Sequence, residues 1–149
     1  MSFSFDHKQS LGYLTSIASR LLSNVLAMRL KGAGIDMTSE QWGAITILLN
    51  EGAMPQRQLG ERLHLEKSSV SRLTDGLEKR GWVVRTMDPN DSRQRLVTAT
   101  SNALDTAVHC ETIARAILKE AQLGLSDDEM LASRTLLSRI IINLEGLTK

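Results

Sequence analysis

The sequence has little of what many functions require. One cysteine, Cys110, stands alone in 149 residues, so no internal disulfide can form and a reducing, cytoplasmic setting is expected. Aromatic residues make up 3% of the chain and prolines number two. The core must therefore be built from Leu, Ile, Val, Ala and Met, which favours packed helices over a β-sandwich. No apolar run reaches the ~20 residues of a membrane-crossing helix. The opening MSFSFDHKQS lacks both the basic n-region and the apolar h-region of a secretory leader. No membrane partner is expected.

Chemistry is equally sparse. His7, His64 and His109 are scattered, and no pair has metal-ligand spacing on a helix face. His109 directly precedes Cys110, but neighbours on a helix point about 100° apart, so adjacency does not make a nucleophile and its base. Cys110 reads as a small buried apolar side chain rather than a redox sensor. The sequence has no glycine-rich phosphate loop and no Ser-His-Asp arrangement. It predicts no metal, no cofactor and no enzyme.

What is present is patterning. Net charge is only +1, but it is unevenly placed. Residues 55–95 hold nine basic side chains (Arg57, Arg62, Lys67, Arg72, Lys79, Arg80, Arg85, Arg93, Arg95) against six acidic ones (Glu61, Glu66, Asp75, Glu78, Asp88, Asp91). The rest of the chain holds nine against eleven. Taken alone, this fits a phosphate-binding face and an ordinary solvated surface equally well.

Apolar side chains at Leu11, Leu14, Ala18, Leu21, Val25 and Met28 predict a helix over about 7–30, with Ile17, Leu22 and Leu26 widening its stripe. Gly32-Ala33-Gly34 stops it. Thr38 and Gln41 form a capping box for a helix containing Trp42, Ile45, Leu48 and Leu49. Pro55 suits the first turn of the next helix, whose inner face is Leu59 and Leu63. Gly60 offers no side chain to obstruct a close helix crossing.

A second short helix follows over about 66–80, with Val70, Leu73 and Leu77 as its buried stripe. Its other turns carry Lys67, Ser68, Ser69, Ser71, Arg72 and Asp75. Short hydroxyl side chains let a helix backbone approach base edges, and an Arg can grip a guanine bidentately. After Gly81, Trp82–Arg85 reads as a strand and 95–100 as its return, joined by the turn-forming Asp88-Pro89-Asn90-Asp91-Ser92. Regular alternation would project Arg93 and Arg95 from one face of the hairpin, and Arg suits a narrow, electronegative minor groove. Two short helices and a cationic hairpin form a helix-turn-helix with a wing, a device for placing one helix in the major groove of double-stranded DNA. Helical patterns resume over about 102–123 and again after the capping box of Ser126 and Glu129.

With TSEQWGAITIL, QLGERLHLEKSSVSRLTDGLEKRGWVVR and DPNDSRQRLV in view, the chain resembles the MarR family of bacterial winged-helix regulators over nearly its whole length. The resemblance implies a mainly α fold with a small β-wing. Residues 1–34 become an N-terminal dimerisation helix, 35–100 the DNA-binding domain and 101–149 the C-terminal dimerisation helices. It implies a homodimer whose stem uses Leu11, Leu14, Leu21, Leu137, Ile140, Ile141 and Leu144, matching terminal stripes too broad for a helix covered on one side. It implies that Ser68, Ser69 and Arg72 face the major groove and Arg93 the minor groove, with Asp91 orienting the wing.

The same resemblance implies a ligand-responsive repressor at a pseudo-palindromic operator. A small-molecule effector would sit between stem and DNA-binding lobe, with Tyr13, Met37 and Trp42 as candidate lining. The methionines by themselves read as core filler. Pro55 replaces the usual Thr or Ser cap, His64 stands where Gly is frequent, and TATSNALDTA lacks the usual Gly. Two rivals stay open: a winged-helix regulator of another family, and a winged helix used for protein–protein contact.

Overall fold

The computed structural model describes residues 2–149. The chain divides into two compact units, Met1–Arg115 and Ala116–Lys149.

In the first unit a 3-10 turn over His7–Gln9 leads into α1 (Leu11–Gly32), then α2 (Ser39–Glu51), β1 (Met54–Pro55), α3 (Gln56–Leu63) and α4 (Lys67–Lys79). The hairpin strands β2 (Val83–Asp88) and β3 (Asp91–Ala99) follow, and α5 (Ser101–Ala121) begins here and runs across the division. The predicted caps form. Thr38 Oγ1 accepts from the Gln41 N–H at 3.1 Å, and the Gln41 side chain accepts from the Thr38 N–H at 3.0 Å.

The core of this unit gathers Leu30, Ile45, Leu59, Val70, Leu77, Val83 and Val97, all essentially without solvent contact. Burying a side chain of this size stabilises by about 1.5–3 kcal/mol. α3 and α4 cross closely because of Gly60: a Cβ there would lie 3.1 Å from Val70 Cγ1.

The turn between them is closed by His64 in the left-handed region, at φ 53° and ψ 43°. The Leu65 N–H donates to the Gly60 carbonyl at 2.9 Å and the His64 N–H to the Glu61 carbonyl at 3.3 Å. This is a Schellman closure with His in the position Gly usually takes. At the far end of α4, Gly81 (φ 70°) makes the same closure, with the Trp82 N–H on the Leu77 carbonyl at 3.0 Å.

The sheet has three antiparallel strands in the order β1-β3-β2, one more than the sequence predicts. The additional strand is the dipeptide Met54–Pro55, paired with Val97 and Leu96. Pro55 thus ends a strand and caps α3, without any side-chain cap. The hairpin is longer than expected and its turn tighter. The ladder steps from Met87↔Arg95 directly to Asp88↔Asp91. Ser92, Arg93 and Gln94 therefore bulge without partners on β2, while Arg93 and Arg95 both stay exposed on either side of the half-buried Gln94.

In the second unit Ser126 caps α6 (Asp127–Leu147), accepting from the Glu129 N–H at 3.1 Å while Glu129 reaches back to the Ser126 N–H at 2.8 Å. α6 buries none of its residues. Leu137, Ile141 and Leu144 are all exposed, and Ile140 is half-buried. No helix among the described residues is long and apolar enough to cross a membrane.

Candidate nucleic-acid interface

The polar side of α4 is set by its buried side. Val70, Leu73, Thr74 and Leu77 turn inward, so the helical period sends Lys67, Ser68, Arg72 and Asp75 to solvent. Lys67, Ser68 and Ser71 line an open groove of about 490 Å³ with Glu66, at the first turn of the helix. Ser69 is half-buried at the edge of this face. Arg72, one turn further on, is exposed. The helix N-terminus adds partial positive charge beside Lys67.

On the wing, the Asp91 carboxylate organises the bulge. Its Oδ1 accepts from the Arg93 N–H at 3.0 Å and from Arg93 Nε at 3.1 Å, and its Oδ2 accepts from the Gln94 amide at 3.2 Å. The Arg93 side chain, then its N–H and Gln94, hold the Asp91 carboxyl below the usual carboxylate range. Arg93 Nη2 also donates to Asp91 Oδ2 at 3.4 Å, so the carboxylate orients the guanidinium, while the side chain remains 88% exposed. Arg95 is exposed as well.

The basic residues counted from the sequence are not equally available. Arg57 pairs with Glu61, Arg62 with Glu51, Arg80 with Asp36, and Arg85 with both Asp75 and Glu78. Lys67, Arg72, Lys79 and Arg95 have no ion-pair partner among the described residues. Arg80 donates to the Asp36 carbonyl at 2.8 Å and to its carboxylate at 2.7 Å, with its guanidinium carbon 5.7 Å from the Trp82 ring centroid. It ties the end of α4 to the segment between α1 and α2.

Arg85 is the residue that sequence reasoning misplaced, as one more surface cation. Only 17% of its side chain is exposed. It donates to Glu78 and, at 3.4 Å, to Gln56 Oε1 on α3. Gln56 Oε1 also accepts from Thr74 Oγ1 at 3.0 Å. Alternation does place Arg85 on the same strand face as the core residue Val83, a signal visible in the sequence.

The three candidate effector residues have different surroundings in the single chain. Met37 is buried and lines an open cleft of about 620 Å³ with Ser23, Asn24, Lys31, Asp36 and Ser39 among others. Tyr13 instead packs edge-on against His7, ring centroids 4.9 Å apart. Trp42 is half-buried within α2 and does not line that cleft. Cys110 is fully buried, and burial pushes its thiol up from the ordinary range, which disfavours the reactive thiolate. Leu11, Leu14 and Leu21 on α1 are all exposed.

Residues 37–94, the span of α2 through the wing, match the model of the MarR family. An HTH-type transcriptional regulator of Mycobacterium bovis is 30% identical over 120 residues, covering 79% of this chain and 82% of the relative. Among solved structures, a mutant MarR of Escherichia coli complexed with operator DNA superposes with a TM-score of 0.82 at 24% identity, over 93% of this chain and 99% of that one. PcaV of Streptomyces coelicolor, in complex with its natural ligand, gives 0.81 at 22% identity, over 94% and 97%. Both likenesses concern the fold. Family members are DNA-binding transcriptional regulators, not enzymes, and with its helix-turn-helix, its wing and this relative, the chain belongs to the MarR family.

Proposed function

We propose that this chain is a sequence-specific repressor that binds a pseudo-palindromic operator as a homodimer and is released by a small-molecule effector. The observation that carries the DNA reading is the pairing of an α4 face of exposed Lys67, Ser68 and Arg72, with half-buried Ser71 between them, and a wing whose Arg93 is held by Asp91. Arg72 reads bases in the major groove, Lys67 and the serines meet phosphate and base edges, and Arg93 with Arg95 enters the adjacent minor groove. The operator DNA bound by the Escherichia coli MarR mutant, a protein of the same fold, supports this reading.

The dimer rests on α1 and α6. Seven apolar positions (Leu11, Leu14, Leu21, Leu137, Ile140, Ile141, Leu144) are exposed or half-buried in the single chain, and a second copy would cover them. Two-fold symmetry then presents two α4 helices to successive major grooves, about 34 Å apart. The natural ligand held by PcaV supports the effector reading. Tyr13, Met37 and Trp42 are the effector's candidate lining residues, with Met37 on the wall of the open cleft. An effector acts by preferring a different spacing of the two lobes, and weakens DNA binding by its differential affinity for the two states. Such work places the protein in the cytoplasm, with the chromosome.

Binding to duplex DNA at rising salt tests the proposal. Several phosphate contacts per dimer give an affinity that falls steeply and linearly on logarithmic axes. A protein with no duplex affinity at low salt would instead be a protein-docking winged helix.

A further inference from the structure

Three elements that must keep a fixed relation for the interface to work, α3, α4 and the wing strand β2, meet at one guanidinium. Arg85 on β2 forms ion pairs with Asp75 and Glu78, one turn apart on α4. Its backbone N–H also donates to Glu78 at 3.2 Å. Its Nη1 reaches Gln56 Oε1 at 3.4 Å, the atom that takes the Thr74 hydroxyl at 3.0 Å. Thr74 is the one buried polar residue of the core among the described residues, and it sits on α4 between the inward-facing Leu73 and Leu77. Gln56 is the first residue after β1, the strand that binds α3 to β3. The closed circuit β1–α3–α4–β2–β3 therefore holds recognition helix and wing in one geometry.

We infer that Arg85, with Gln56 as its relay, is a positioning residue for operator binding: it touches no nucleic acid but sets the angle between the α4 face and the Arg93 wing. Its charge is matched by two carboxylates, so it has little left to offer a phosphate. A planar fork is needed because three acceptors on two helices must be met at once, and the point charge of a lysine cannot do so. The inference rests on the DNA-binding reading above.

The test uses the full-length protein and an operator selected by it from random duplexes. Arg85→Lys keeps the charge and removes the fork. The expected result is a loss of about tenfold in operator affinity, the size typical of coupled neighbours, with the slope of log affinity against log salt unchanged. Arg93→Ala, costly in the parent, should cost several-fold less in the Arg85→Lys background, because a misplaced wing has less to lose. Gln56→Met, which breaks only the relay, should shift affinity and the Arg93 coupling in the same direction and serves where Arg85→Lys fails to fold.

In Arg85→Gln, which removes the charge, a salt slope lowered by about one would make Arg85 a phosphate contact and overturn the inference. So would full affinity in folded variants, or strict additivity with Arg93→Ala. A parent protein without duplex affinity would overturn the DNA-binding reading itself; a parent that binds, with additive variants, overturns this inference alone.

Discussion

Asp91 and Arg93 are two residues apart and joined by both backbone and side chain: one carboxylate oxygen takes the Arg93 N–H at 3.0 Å and Arg93 Nε at 3.1 Å. Simple Coulomb reasoning says that deleting a carboxylate beside DNA should strengthen binding. The geometry says the opposite, because the bulge that aims Arg93 loses its organiser. Asp91→Ala should therefore weaken operator binding, and Arg93→Ala should weaken it further and lower the salt slope by about one. Titration of a labelled operator with each variant checks both; tighter binding by Asp91→Ala would show that the wing needs no organiser.

The same pair fixes a pH dependence. Arg93 holds Asp91 below its usual range, and Arg85, through its side-chain hydrogen bonds, does the same for Glu78. A carboxyl depressed in the folded state contributes stability above its unfolded pKa, about 3.9 for Asp and 4.3 for Glu. That contribution is lost as pH falls through the lower folded value. The wing geometry should hold throughout the neutral range and fail only in acid. Carboxyl NMR titration should place Asp91 below an ordinary Asp, and Arg93→Ala should raise it toward the ordinary value.

Gly60 sets the crossing of α3 and α4. A Cβ there meets Val70 Cγ1 at 3.1 Å and Val70 Cβ at 3.3 Å, both atoms of a stiff, buried side chain. Gly60→Ala should cost about 1–3 kcal/mol in stability, as overpacking does. Combined with Val70→Ala it should cost less than the sum of the two single changes, since the clash partner is gone. Chemical denaturation of the four proteins reads this coupling; simple additivity would mean that Val70 is not what a Cβ at position 60 meets.

His64 occupies a left-handed conformation at φ 53°, where a side chain is strained. His64→Gly should stabilise the fold by about 0.5–1 kcal/mol, net of the added freedom of the unfolded chain. The melting temperature should rise. A fall would mean that the imidazole's interactions outweigh the backbone strain.

α6 has no fully buried residue, although Leu137, Ile141 and Leu144 repeat at helical spacing. Leu137→Glu should convert a dimer into a monomer in analytical ultracentrifugation and lower operator affinity with it. An intact dimer would place the seam elsewhere.

The local features of the fold were legible in the sequence. Both capping boxes depend on residues three positions apart, and each formed as expected. What escaped depends on distant partners. Two residues, Met54 and Pro55, become a strand only because β3 offers its edge. The bulge at 92–94 follows from a register set by both strands. Arg85 looked like a surface cation because its acceptors lie on α3 and α4. The pair Asp91 and Arg93 was legible because it is local.

The most direct test of the account is selection of bound fragments from a random duplex pool. It should enrich two inverted half-sites whose centres lie about 10 base pairs apart, one turn of B-form DNA. A pool that stays random, or a single half-site without its inverted mate, would contradict a paired set of α4 probes.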